Sequence, residues 1–306
     1  MVSNSLRAWL AAVAVLVPVT ALAQPAPGDT SLDQRVQAVS RLPDAAAQAQ
    51  EAILTGRNDI VLMRERQFFT LSASASAFHA TNAALGSDAR SDQFVTADVT
   101  LRAGTTLGGR VDVYAEIGGA TAQYRQFSNL GYVAAQGAIG AHTTLYGLDV
   151  DAAYAPSVIF DREAKSRQLT QHRFVVTVGR GWATREGASL RVAASIERIS
   201  ADPSPYTNSG AAISASAAVP LNRERSLNGF VAMTGVYRSY DNYFEDFVGV
   251  ARRDRLLELS VGLGWTPTER ISLDLRWTQS RNWSTSDVNR YRAGVGGLGL
   301  RAAARF

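Results

Sequence analysis

The architecture of the chain is clearest in a stretch that reads Leu257-Glu-Leu-Ser-Val-Gly-Leu-Gly-Trp265, then Thr-Pro-Thr-Glu-Arg, then Ile271-Ser-Leu-Asp-Leu-Arg-Trp277. In both halves every second residue is apolar, and the residues between them are small, polar or charged. Successive side chains of a β-strand point to opposite faces of a sheet. The alternation therefore predicts two strands, each with one apolar and one polar face, joined by a short turn.

The same period of two recurs along the chain from residue 66 onward. Twelve segments show it: 69–77, 95–102, 111–117, 133–142, 148–154, 173–178, 190–197, 211–219, 227–238, 257–265, 271–277 and 298–306. The pattern predicts an all-β domain of about twelve strands over residues 66–306.

An antiparallel sandwich with one wetted face also alternates, but charge and length favour a membrane barrel. The charged residues spare the apolar set, as lipid requires, because a charge near the bilayer midplane costs roughly 2–4 kcal/mol. A tilted membrane strand needs about 9–11 residues, which these segments can supply, whereas sandwich strands are nearer 5–6. Backbone amides in hydrocarbon must all be paired, so the predicted sheet closes into an up-and-down, antiparallel transmembrane β-barrel.

The connections between the segments alternate in length. Short turns are predicted at 107–109, 146–147, 184–187, 222–224 and 267–269. Longer polar loops are predicted at 80–92, 125–131, 160–168, 199–208, 239–254 and 280–289. Short periplasmic turns and long external loops are typical of outer-membrane barrels. This asymmetry predicts an even strand number, with both chain ends in the periplasm.

Aromatic residues fall near both ends of the predicted strands. Those near the short turns are Tyr146, Trp182, Trp265 and Phe306. Those near the long loops are Phe78, Tyr124, Phe127, Tyr132, Tyr237 and Trp283. Two such bands predict the aromatic girdles of a membrane protein's interfaces.

Composition excludes several classes of protein. The 306 residues are 46% hydrophobic and 19% charged, include no cysteine, and carry a net charge of +4. This hydrophobic content excludes a wholly disordered chain. The absence of cysteine excludes a disulfide scaffold, cysteine-ligated zinc and a thiol nucleophile. Lys165 is the single lysine among 31 basic residues, and no arginine cluster along the sequence is dense enough to predict a nucleic-acid partner.

Residues 1–23 resemble a secretory signal. Arg7 precedes an apolar run from Trp9 to Val19, and Ala21-Leu22-Ala23 is a typical cleavage site. Residues 24–65 then predict a periplasmic lead with short helices at 31–42 and 45–55. Three interpretations of the lead stay open: a loosely packed segment, a relic of a helical-repeat pair, or a plug near the barrel mouth.

Residues 66–306 together resemble the porin-like outer-membrane β-barrels of Gram-negative envelopes. The terminal Phe306 matches the family's aromatic last residue, which belongs to the signal read by the barrel-assembly machinery. Ala304 and Arg301 depart from the second aromatic and the glycine often found there. Tyr240–Phe247, followed by Arg252-Arg253-Asp254, is similar to barrels associated with exopolysaccharide secretion or with helical-repeat leaders. The resemblance implies contact with outer-membrane lipids and lipopolysaccharide, and a periplasmic protein or a polysaccharide as a further partner.

Charged residues on the polar set are predicted to line the lumen. The acids are Asp98, Asp112, Glu116, Asp149, Asp151, Glu197, Glu258 and Asp274. The bases are Arg102, Arg173, Arg191, Arg238, Arg276, Arg301 and Arg305. A strongly selective pore shows rings of one sign. The near balance favours either ion pairs across a narrowed lumen or a weakly selective polar channel.

Two functions follow from this pattern. The first is a polar, weakly selective channel for small solutes or glycan segments. The second is a structural barrel that transports nothing, with a salt-bridged lumen and a lead that binds a partner. The aromatic and charged loop at 239–254 suits contact with a sugar or a partner, a constriction of the pore, or contact with lipopolysaccharide.

The sequence predicts no enzyme, no cofactor and no metal site. His79, His142 and His172 show no metal-ligand spacing with one another or with a carboxylate. Some outer-membrane lipases carry a His-x-Ser pair, but the residues two positions after these histidines are Thr81, Thr144 and Phe174. Asp149-x-Asp151 resembles the paired aspartates of barrel proteases, but it follows a predicted periplasmic turn and has no Asp-x-His partner.

Overall fold

The computed structural model describes residues 67–85, 89–222, 224, 226–244 and 251–306. The predicted signal at 1–23 and the predicted lead at 24–65 lie outside the described residues. Within the described part of the chain, no helix is long and apolar enough to cross a membrane.

Twelve antiparallel strands make up most of the described part of the chain. They are β1 Gln67–Ala80, β2 Asp92–Leu107, β3 Val111–Tyr124, β4 Tyr132–Leu145, β5 Leu148–Asp161, β6 Arg167–Ala183, β7 Ser189–Asp202, β8 Asn208–Pro220, β9 Leu227–Phe244, β10 Ala251–Thr268, β11 Ile271–Ser284 and β12 Tyr291–Arg305. Each strand pairs with its neighbours in the sequence, and β1 pairs with β12 to close the barrel. The prediction of an all-β, twelve-stranded, up-and-down barrel is confirmed.

The strands extend well beyond the alternating segments that predict them. They contain between 13 and 18 residues, more than the roughly 9–11 that cross a membrane. The loop predicted at 239–254 is wrong for most of its length, because β9 runs to Phe244 and β10 begins at Ala251. Polar residues in this stretch obscure the alternation, although main-chain pairing continues both strands beyond the apolar residues.

The connections define two ends of the barrel. Those at 108–110, 146–147, 184–188, 221–226 and 269–270 lie at one end, which we call the short-turn end. The connections at 125–131, 162–166, 203–207 and 285–290 lie at the other, the long-loop end, where β1 also leads to β2 and β9 to β10. The predicted asymmetry is present but weaker than the sequence indicates, because the strands occupy much of each predicted loop.

Exposure alternates along the strands. On β10 the side chains of Leu257, Leu259, Val261, Leu263 and Trp265 are each 43–47% exposed, while those between them are less so. We call the surface formed by such residues around the barrel the apolar face, and the opposite surface the polar face. A contiguous apolar surface of this size is rare on a protein that faces water and is typical of strands that face lipid.

Buried apolar clusters lie toward the long-loop end. Tyr206, from the connection between β7 and β8, packs with Tyr132, Ile159 and Leu169 on strands β4 to β6. A second cluster brings Leu85, from the connection between β1 and β2, against Leu256, Tyr291 and Ala293. Two loops therefore pack onto the strands at this end.

Gly262 on β10 is a packing position that tolerates no side chain. A methyl group at Gly262 would overlap the carbonyl oxygen of Leu275 and the ring of Phe230. We expect Gly262→Ala to lower the free energy of unfolding by about 1–3 kcal/mol, because backbone and ring must both shift. Denaturant titration of the folded barrel measures this change. The control Gly235→Ala, which meets only a methyl group of Ile213 at 3.8 Å, should leave the midpoint unchanged. Equal midpoints for both variants would contradict the overlap.

Candidate functional site

Strand register places all fifteen predicted charged residues on the polar face. Glu116 lies opposite Arg102, Asp98 opposite Ser74, and Asp254 opposite Arg238. Following these pairs around the closed sheet reaches the other members of the predicted set at positions of the same face. They are Asp112, Asp149, Asp151, Arg173, Arg191, Glu197, Glu258, Asp274, Arg276, Arg301 and Arg305.

One group of these residues spans three strands in the half nearer the short-turn end. The Arg102 guanidinium lies 4.0 Å from the centre of the Tyr114 ring. The Tyr114 hydroxyl lies 3.4 Å from each carboxylate oxygen of Asp151. Tyr114 is on β3 and Asp151 on β5, and the ring crosses Gly140 of the intervening strand, where any side chain would collide with it. A glycine on β4 thus allows contact between strands that are not neighbours.

Glu197 joins two arginines nearer the long-loop end. Its carboxylate accepts hydrogen bonds from Arg173 Nε at 2.8 Å and from Arg238 Nε at 3.1 Å. The Glu197 side chain is only 7% exposed. Gly210, opposite Glu197 on β8, leaves the space that the carboxylate fills. We call Glu197, Arg173 and Arg238 the glutamate bridge. Buried charges are tolerated when they are paired and hydrogen-bonded in this way.

Hydroxyl groups satisfy several of the other acids. Ser74 donates to Asp98, Thr106 donates to Asp112 at 2.5 Å, and Thr144 donates to Asp149 at 3.2 Å. Asp149 and Asp151 lie on one face as predicted, and they accept hydrogen bonds from the hydroxyl groups of Thr144 and Tyr114. The polar face therefore satisfies its acids with hydroxyl groups as well as with arginines.

An aromatic ladder occupies the polar face near the long-loop end. Phe94 stacks on Phe78 with ring centres 5.1 Å apart and on Tyr124 with centres 4.8 Å apart. Arg276 lies 5.7 Å from the Phe78 ring. Assignment of Phe78, Tyr124 and Tyr132 to an interfacial girdle is wrong, because the register places all three on the polar face and Tyr132 is 1% exposed. The sequence already indicates this face, since Phe78 follows Ser74 and Ser76 at intervals of two.

The residues singled out in the predicted loop 239–254 include a buried ion pair. Arg252 is 1% exposed, donates to Asp254 at 2.7 Å, and lies 4.2 Å from the Tyr240 ring. Ser284 donates to the same carboxylate at 2.6 Å. Arg252 therefore joins β10 to Tyr240 of β9, and Asp254 joins β10 to Ser284 of β11.

The histidines are separated from one another. His142 lies opposite Asp151 on the polar face, and His172 Nδ1 lies 2.7 Å from the Tyr154 hydroxyl on the apolar face. Among the described residues, no three potential ligands of the His, Cys, Asp or Glu types gather where a metal ion would fit.

Comparison with known proteins establishes the fold and no more. No protein-family model matches the chain, and no curated protein matches its sequence. An outer-membrane channel from Pseudomonas putida F1 superposes with a TM-score of 0.52 at 9% identity, over 78% of this chain and 95% of that one. The translocator domain of the autotransporter NalP from Neisseria meningitidis gives 0.46 at 9% identity, over 89% and 97%. LpxR from Salmonella typhimurium gives 0.45 at 9% identity, over 75% and 99%. The chain thus has the barrel fold of the first of these proteins.

Proposed function

We propose that this protein is an outer-membrane barrel whose polar face lines a narrow passage for small polar solutes. The observation that carries the proposal is the continuity of the two faces. Charged and hydroxyl side chains follow one face from the short-turn end to the long-loop end, while the other face is apolar and exposed. The likeness in fold to an outer-membrane channel is in keeping with it.

The short-turn end is proposed to face the periplasm. The described chain begins and ends at this side, where the backbone NH of Phe306 donates to the carbonyl of Phe69 at 3.0 Å. Short turns on the periplasmic side are the rule for such barrels. A signal at 1–23, a periplasmic lead at 24–65 and recognition of Phe306 by the assembly machinery belong to the same proposal.

Weak selectivity is proposed from the mixture of charges along the polar face. At the glutamate bridge one acid meets two bases, and nearer the short-turn end Arg102 lies close to Tyr114 and Asp151. At neither of these two places do the side chains form the ring of like charges that strong ion selectivity needs. In this proposal the barrel is a passage and not an enzyme.

A barrel that transports nothing is the second candidate, and the long-loop end favours it. Leu85 and Tyr206 come from loops and are 5% and 6% exposed, packed against strands of the barrel. Loops held in this way narrow the mouth. The alternative adds a partner-binding role for the lead at 24–65.

Conductance across a planar phosphatidylcholine bilayer tests these two functions. We expect steady, ohmic openings from the wild-type protein, with little preference between K⁺ and Cl⁻. The double variant Leu85→Asn/Tyr206→Asn should conduct more, because it loosens both packed loops. The control Val288→Asn, in the exposed loop before β12, should match the wild type. Silence of the wild type and of the loosened variant would contradict a passage and support the second candidate.

A further inference from the structure

The long-loop end of the apolar face carries arginines from three adjacent strands. Arg253 and Arg255 lie on β10, Arg281 on β11 and Arg292 on β12, and all four are exposed. Arg281 lies directly opposite Arg292, and Arg255 lies opposite Trp283, two residues from Arg281. We call these four arginines the arginine patch.

Two described acids on neighbouring parts of the barrel, Asp241 and Asp287, already have other partners. Asp241 accepts two hydrogen bonds from Arg198, and Asp287 lies 2.8 Å from Arg290. Within the described part of the chain, no carboxylate forms an ion pair with the patch. Like charges directly opposite each other on a sheet destabilise it. Four positive charges therefore share a small surface that lacks a neutralising group among the described residues.

The height of the patch on the barrel suggests what neutralises it. Arg255 lies between Tyr237 on β9 and Trp283 on β11, which are 41% and 42% exposed. Tyrosine and tryptophan with this exposure are typical of the membrane–water interface. Leu257 and Leu259 continue the same face of β10 toward the middle of the barrel. The patch thus lies where the apolar residues of this face end, at the depth expected for lipid headgroups.

We propose that the arginine patch binds the phosphate group of an anionic lipid in the leaflet at the long-loop end. Guanidinium groups present paired N–H donors that match phosphate oxygens. The acyl chains of the same lipid would lie along Leu257 and Leu259. This inference rests on the proposed function, which places the apolar face in a membrane.

Lipid binding to two double variants tests the arginine patch. Arg281→Gln/Arg292→Gln removes the opposed pair, and Arg110→Gln/Arg270→Gln removes two exposed arginines from the short-turn end as a control. Native mass spectrometry of the purified barrel measures its affinity for phosphatidic acid, with phosphatidylcholine as the neutral comparison. We expect the patch variant to bind phosphatidic acid roughly 25-fold more weakly, about fivefold for each arginine, and the control to match the wild type.

Several outcomes would overturn the inference. The first is an unchanged affinity of the patch variant for phosphatidic acid. The second is a control variant that loses as much affinity for phosphatidic acid as the patch variant does. The third is a patch variant that loses as much affinity for phosphatidylcholine as for phosphatidic acid. Excess inorganic phosphate distinguishes a lipid from a free anion. Retention of the lipid under excess phosphate supports the inference, and its displacement by phosphate alone contradicts a lipid site.

Stability supplies a second readout. In phosphatidylcholine vesicles the patch variant should be at least as stable as the wild type, because two opposed charges are gone. In vesicles that contain phosphatidic acid it should be the less stable of the two, and the same order in both lipids would overturn the inference.

Bilayer conductance reports the passage separately. A silent barrel that still binds phosphatidic acid through the patch refutes the passage alone, and a conducting barrel whose patch variant binds normally refutes the patch alone.

Discussion

The variant Ile196→Arg is expected to fold poorly into phosphatidylcholine vesicles and to lose about 2–4 kcal/mol of unfolding free energy. Ile196 lies at the middle of β7 and is 64% exposed on the apolar face. A guanidinium group at that depth must either leave water or distort the bilayer. Denaturant titration in vesicles measures the loss, and the mobility of unheated protein in gels reports the folded fraction.

Val219→Arg is the matched control for depth. Val219 is 48% exposed on the same face, but it lies at the short-turn end of β8. Near the interface a basic residue costs only about 0–1 kcal/mol. Equal losses for the two variants, or full tolerance of Ile196→Arg in vesicles, would contradict burial of the apolar face in lipid.

Glu197→Gln is expected to cost about 3 kcal/mol of unfolding free energy, because it leaves two guanidinium groups close together without their shared acid. Arg173 and Arg238 both donate to this nearly buried carboxylate. If the polar face lines a passage, the same variant should also shift the reversal potential in a salt gradient toward anion selectivity. Denaturant titration and bilayer recordings measure the two effects.

Two controls separate the glutamate bridge from a general loss of charge. Glu163→Gln removes an exposed acid that pairs with Lys165 in the connection between β5 and β6, and it should leave stability unchanged. The double variant Glu197→Gln/Arg238→Gln removes one base together with the acid and should recover most of the lost stability. A double variant no more stable than Glu197→Gln would show that charge balance does not explain the cost.

Much of the barrel could be predicted because the alternation of residues within each strand shows which side chains share a face. Along Leu257–Trp265 the alternation of residue types specifies a strand and assigns each side chain to a face. The same rule placed Asp98, Glu197 and Arg301 on one face, and the register agrees. Phe78 and Tyr132 obey the same alternation, and their closeness to a strand end does not decide which face they occupy. The alternation is obscured at 239–254, where polar residues occupy strands that main-chain pairing extends.

Contacts between strands depend on register, which sequence periodicity does not contain. Tyr114 reaches Asp151 only because Gly140 lies between them, and Glu197 meets Arg173 and Arg238 through residues on three strands. Arg281 and Arg292 lie on the two consecutive strands β11 and β12, so they are not adjacent in the sequence. The register of the hairpin that these strands form brings them opposite each other.

A local signal thus determines that the chain forms twelve strands and which side chains of each strand share a face, because a period of two needs only neighbouring residues to express it. Loop packing at Leu85 and Tyr206, the glutamate bridge and the arginine patch arise from the tertiary structure alone. The physical reason is that a sheet joins its strands through identical backbone groups. Which side chains then meet depends on the register of neighbouring strands and on where glycine leaves room.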